Sequence, residues 1–177
     1  MNVIPKLLAT SLLATFPFLT SAQLPPQRLE LVKVENEVET FEVFKLPQGD
    51  AFNYYLSVGH LGFGDEVLQV MIDPLFELFI PLGGTVAEAL ESMQNIQQIF
   101  KEAPGTSMES EGCLAFGVPN DKREPVKITL IKPLLSKTLE FSIRREEYMR
   151  AAHIQKSEFD SLVRGVKFYQ KIHPKEP

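Results

Sequence analysis

The stretch that most limits what this chain can fold into is Leu75–Lys101, LFELFIPLGGTVAEALESMQNIQQIFK. Leu75–Leu82 is almost continuously apolar, with Glu77 its only charge. In an extended strand, Phe76, Leu78, Ile80 and Leu82 share one face while Leu75 and Phe79 share the other. Both faces then need cover, as on an inner strand. Gly83-Gly84 break the run. Thr85, followed three residues later by Glu88, predicts a capping box. Val86, Leu90, Met93, Ile96 and Phe100 recur at helical spacing, opposite a polar face of Glu88, Glu91, Gln94, Asn95, Gln98 and Lys101. Pro104-Gly105 ends the helix. At ~1.5 Å per residue it reaches roughly 25 Å, enough to cover four or five strands about 4.8 Å apart. The run therefore requires a sheet with a helix laid on it.

The rest of the chain supplies strands for that sheet. Arg28–Glu35 and Glu37–Leu46 alternate apolar and acidic residues around Asn36 and predict a hairpin. The alternation slips near Leu31-Val32 and again near Val43-Phe44, and a β-bulge at each would explain it. Pro47-Gln48-Gly49-Asp50 reads as a turn. Ala51–His60 puts Tyr54, Leu56, Val58 and His60 on one face. Gly62–Asp65 turns the chain and Glu66–Ile72 reads as a further strand, making about five before the helix. The second half repeats the scheme with Glu109–Val118, Val126–Lys132, Lys137–Arg144 and Glu146–Ile154. Ser157 with Asp160 is expected to cap a closing helix whose apolar face is Phe159, Leu162, Val166, Tyr169 and Ile172. Gly165 in its middle costs about 1 kcal/mol against Ala, which predicts close packing there. His173-Pro174 ends the helix, and a loose tail is expected beyond it.

The expected fold class is α+β: mostly antiparallel sheet with two packed helices, and a strands-then-helix order that occurs twice. The halves would be 28–103 and 108–173, within one domain of 23–177. A chain of 177 residues, 44% hydrophobic and 23% charged, suits one such domain with a core of its own.

Residues 1–22 have a different composition. Lys6 precedes the apolar run Leu7–Leu19, and Thr20-Ser21-Ala22 offers small residues before Gln23. This is the pattern of a secretory signal peptide cleaved near Ala22-Gln23. About 13 apolar residues are too few to span a bilayer, which takes ~20. Export to a periplasm or the outside of the cell is the expectation, with no transmembrane span.

The doubled strands-then-helix order resembles that of the Whirly family of single-strand DNA-binding proteins. The resemblance covers most of the chain after residue 22 and implies a fold. It does not carry the function across, because the family's lysine-rich DNA-binding motif has no counterpart in this sequence. A net charge of −5 also disfavours nucleic acid as the main partner.

Charge is unevenly placed. Leu24–Val118 holds 4 Lys/Arg against 15 Asp/Glu, net −11, whereas Pro119–Pro177 holds 13 against 8, net +5. Lys127, Lys132, Lys137, Arg144, Arg145 and Arg150 would line a basic outer face of the second half, fit for an acidic protein partner or an anionic glycan. Two halves that attract each other, with charged outer strands, explain the same pattern. The aromatics Phe52, Tyr54, Tyr55 and Phe63 lie near a glycine-rich turn and suggest a contact edge, or core packing. The candidate binding residues are thus Tyr54, Tyr55, Phe63, Lys127, Arg144 and Arg150.

No catalytic motif stands out. Asp65, Glu66, Asp73 and Glu77 could pair carboxylates for hydrolysis of a polysaccharide or peptide. Cys113 is flanked by Glu109 and Glu111, which oppose a thiolate, so a buried strand cysteine is expected. Intermolecular pairing is the other option. His60, His153 and His173 lack metal-ligand spacing. Gly83-Gly84-Thr85 lacks the lysine of a phosphate loop. The expected function is an exported, non-catalytic binding or structural protein with no cofactor or metal. It would recognise a partner through a sheet face or edge, with a homo-oligomer as one possible form.

Overall fold

A computed structural model describes residues 27–60, 76–145 and 148–176 of the chain. Eight strands form one antiparallel sheet in which every neighbour in sequence is a neighbour in space. β1 (Leu29–Glu35), β2 (Glu39–Gln48), β3 (Ala51–His60) and β4 (Phe76–Gly83) precede α1 (Val86–Gln98). β5 (Ser107–Phe116), β6 (Glu124–Ile131), β7 (Thr138–Arg145) and β8 (Tyr148–Gln155) precede α2 (Lys156–Ile172). The strands-then-helix order therefore occurs twice, as the periodicity predicts. The strand expected at Glu66–Ile72 and the turn at Gly62–Asp65 lie outside the described residues. β3 pairs directly with β4, Val58 opposite Leu78, so no strand lies between them in the sheet.

The two halves share β5. Its residues 113–116 pair with β4, and its residues 107–112 pair with β6. The ladder steps from one neighbour to the other at Gly112. A Cβ on Gly112 would lie 2.7 Å from Val126 Cγ2 and 2.9 Å from the Phe79 carbonyl oxygen, so the step leaves room only for glycine.

One face of the sheet carries the main core. Phe41, Val43, Leu56, Val58, Leu78, Ile80 and Leu82 from the first half meet Val126, Ile128, Leu130, Leu139, Phe141, Ile143 and Ile154 from the second. The helices lie on this face with Val86, Ala89, Met93 and Ile96 of α1 and Phe159, Leu162, Val163 and Val166 of α2. Phe41 and Phe141 bring the halves together, their ring centroids 6.1 Å apart. Gln97 Nε2 donates to Asp160 Oδ1 at 2.7 Å and ties the helices to each other.

Several local expectations hold. The bulge near Leu31 is present, with a register shift between Glu30 and Val32. Thr85 caps α1, its Oγ1 accepting from the Glu88 N–H at 3.2 Å. The Glu88 carboxylate reaches past the cap to the Gly84 N–H at 2.7 Å. Gly165 is the close contact expected, for a Cβ there would lie 2.7 Å from Val32 Cβ and closer still to its Cγ2.

Others are corrected. No bulge occurs at Val43-Phe44, where β2 stays in register with β3 over ten residue pairs. Both residues are buried because both faces of β2 are covered there. α2 begins one residue before Ser157. Its cap is Gln155, whose N–H donates to Glu158 Oε2 at 2.7 Å, because β8 runs into the helix without a linker. Ile172 is exposed rather than on the buried face. The segment after His173 is not loose, since Glu176 bonds back to Lys45 and Tyr169.

Candidate functional site

The other face of the sheet divides in two. Across β2–β5 a second apolar cluster of Phe44, Tyr55, Phe79, Cys113 and Ala115 is buried. Phe44 stacks on Tyr55 and meets Phe79 edge-on. Above it lies a charged group. Arg28 sits 5.2 Å from the Phe44 ring centroid and bridges Glu42 at 3.1 Å and Glu77 at 2.6 Å. Ser57 Oγ donates to the same Glu77 oxygen at 2.5 Å. Burial pushes the Glu42 carboxyl above its ordinary range, and the Arg28 charge only partly opposes this.

Across β5–β8 the same face is mostly polar among the described residues, and apart from Thr138 and Ser142 of β7, which are buried, it is half-buried or exposed. The register aligns Ser107, Thr129, Glu140 and His153 in one cross-strand row. Glu109, Lys127, Ser142 and Ala151 form the next. Glu109 and Lys127 are exposed, and Thr129, Glu140, Ala151 and His153 are half-buried. The small side chains of Ser142 and Ala151 leave the sheet surface shallow between the charged ones.

The first row runs into a cleft of about 540 Å³ where the β1–β2 turn meets β8. Glu39, 6% exposed, organises it. Its Oε1 accepts from the His153 backbone N–H at 3.1 Å and lies 3.5 Å from His153 Nδ1. Asn36 Nδ2 donates to the His153 carbonyl at 3.3 Å and contacts Glu39 Oε2 at 3.4 Å. His153 Nε2 lies 3.2 Å from Glu140 Oε2. Two side chains of the first half thus complete the backbone bonding of a strand of the second. With Glu37 and Glu158 also on its wall, the cleft is acid-rich.

The candidate residues separate. Tyr54 and Tyr55 are both buried, on opposite faces of β3, which agrees with core packing and not with the exposed contact edge that the sequence also offered. Both faces of β3 are covered, which the alternation alone did not reveal. Phe63 lies outside the described residues. Lys127 is exposed on the open face. Position 144 lies two residues beyond Ser142 on β7 and so falls on the same face of the sheet. Position 150 pairs with Ile143, in the row that carries the core. Lys137 leaves the expected basic face, because its Nζ caps the end of the first helical run through the carbonyls of Phe100, at 2.5 Å, and Glu102, at 3.2 Å. Of the four acids proposed for hydrolysis, only Glu77 is among the described residues, and Arg28 and Ser57 hold it.

No protein family, characterised protein or solved structure matches the chain.

The Whirly resemblance therefore rests on element order. Among the described residues no group of His, Cys, Asp and Glu is arranged to hold a metal ion, and no helix is long and apolar enough to cross a membrane. Cys113 is buried with no thiol partner, in line with its place in a strand. Sequence reasoning missed Glu39 and Asn36. An acid at the start of a strand alternating with acids carries no mark of being buried.

Proposed function

We propose that this is an exported, non-catalytic binding protein that recognises a protein or anionic glycan through the outer face of β5–β8. The observation that supports this most is the contrast between the two outer faces. The first half covers its own with an apolar cluster and an ion-paired cap. The second has, in its two cross-strand rows, Ser107, Glu109 and Lys127 exposed and Thr129, Glu140, Ala151 and His153 half-buried, with Ser142 buried between them. Shallow faces of this kind suit recognition by several adjacent polar contacts rather than chemistry on an enclosed substrate. Lys127 supplies positive charge for acidic groups.

The test uses the protein secreted with its own residues 1–22, whose mature chain should begin at Gln23. Binding to sulfated and carboxylated polysaccharides, and crosslinking to envelope proteins, is compared with that of the Lys127→Glu variant, which reverses the charge on this face. Position 127 is exposed, so the melting curve should be unchanged. A loss of at least tenfold is expected. Equal binding by the variant would exclude this face.

A further inference from the structure

Lys45 is an unusual residue at the other end of the molecule. It lies on β2, 6% exposed, in the row of Phe41 and Val43 that faces the main core. Its Nζ is 4.5 Å from the Phe52 ring centroid and 5.3 Å from that of Tyr169. A cation so placed requires a partner, since an unpaired buried charge is strongly unfavourable. The partner comes from the segment that follows α2. Glu176 Oε2 receives Lys45 Nζ at 2.7 Å and the Tyr169 hydroxyl at 2.5 Å. His173 stacks on the Tyr169 ring at 4.4 Å, with its Nδ1 3.8 Å from the other carboxylate oxygen. Three residues from two elements therefore converge on one carboxylate, over an aromatic floor. That carboxylate is four residues past the last helical one; the backbone bond from the Glu176 N–H to the His173 carbonyl lies within the segment itself, and the bond from the His173 N–H to the Tyr169 carbonyl joins the segment to α2.

We infer that Lys45 and Tyr169 form a carboxylate-binding site that Glu176 fills in cis, and that takes a carboxylate in trans when residues 173–176 move aside. The inference is independent of the β5–β8 face. The charge and both donors belong to the folded body, whereas the acid belongs to a short segment beyond it. Such an arrangement is a receptor with its own ligand attached. A tether this short supplies an effective concentration on the order of millimolar, so an outside carboxylate competes only above that level unless the segment is displaced.

The test places Glu176→Ala in the full chain and follows Lys45 Cε and the Tyr169 ring by NMR during titration with acetate, and with the amidated peptide His-Pro-Lys-Glu-Pro. Saturable shifts are expected in the variant, with the unaltered protein needing at least tenfold more of either probe. Adding Lys45→Met should abolish the response. Tighter binding of the peptide than of acetate points to a segment of another chain, and equal binding to a small organic acid; either supports the site. A folded Glu176→Ala protein that responds to neither probe overturns it. So does a response equal to that of the unaltered protein, or one that survives Lys45→Met. If Glu176→Ala loses its folded spectrum, Glu176→Gln takes its place, keeping hydrogen bonds without the charge, and an absent response there is equally fatal.

Discussion

Gly165→Ala tests the packing of the second helix on the first strand. By helix propensity alone the substitution should stabilise by ~1 kcal/mol. The contact with Val32 opposes it. The added Cβ would lie 2.7 Å from Val32 Cβ, where carbon atoms prefer about 3.5–4.0 Å. Val32 cannot rotate away, because the clash is with the atom attached to its backbone. That backbone is paired with Val43 just beyond the bulge. Helix or strand must therefore shift by close to an ångström, and overpacking of this kind costs about 1–3 kcal/mol, occasionally more. Taking the upper end and subtracting the propensity gain leaves a net loss of about 1–2 kcal/mol. For a chain of this size that lowers the melting temperature by roughly 2–8 °C. Urea unfolding should show a lower midpoint with an unchanged slope. Val32→Gly, which removes that Cβ, should cost less in the Gly165→Ala background than alone, with a coupling of at least ~0.5 kcal/mol. A more stable Gly165→Ala protein, or strict additivity of the two changes, would refute the argument.

Gly112→Ala should destabilise by about 2 kcal/mol or more, because one of its close neighbours is the Phe79 carbonyl, a backbone atom that cannot rotate aside. Near-native stability in denaturant would mean that the ladder does not need its step there. Acid titration separates two carboxylates of opposite sign. Burial raises Glu176, but bonds from Lys45 and Tyr169 outweigh it and hold the group below its ordinary value. Its stabilisation is therefore present above the unfolded pKa, near ~4.3, and is lost as pH falls through the lower folded value. The deficit of Glu176→Gln in thermal melts should shrink below about pH 4. Glu42 is raised, chiefly by burial, so its contribution is present below the unfolded pKa and lost as pH rises through the folded one. Glu42→Gln should raise the melting temperature at pH 7, and the gain should vanish toward pH 4; a constant difference would argue against that assignment.

The candidate surface was less legible in the sequence than the fold. Lys127 could be placed outward from the alternation of its own strand. Nothing local separated the open outer face of β5–β8 from the covered one of β2–β5, because alternating strands look alike whether or not a layer sits on their polar side. Tyr54 and Tyr55 looked like an edge because they are adjacent aromatics near a turn. They are buried because each face of β3 carries its own apolar cluster, the main core around Tyr54 and the Phe44–Phe79 cluster around Tyr55. Glu39 and Lys45 look like surface charges by type, and only contacts more than a hundred residues away, to His153 and Glu176, explain their burial.

The run at Leu75–Lys101 determined much by itself. Apolar residues on both faces of Phe76–Leu82 required an inner strand, two glycines required a break, and Thr85 with the periodic apolar face required a capped helix on a sheet. These are short-range consequences of backbone geometry, and period and capping chemistry report them directly. The tertiary structure decided the step of β5 at Gly112, the seam closed by Glu39 and Asn36, the choice of Gln155 over Ser157 as a cap, and the return of Glu176 to Lys45. Each depends on which distant backbone or side chain arrives within a few ångströms, and a period of two or 3.6 along the chain carries no information about that.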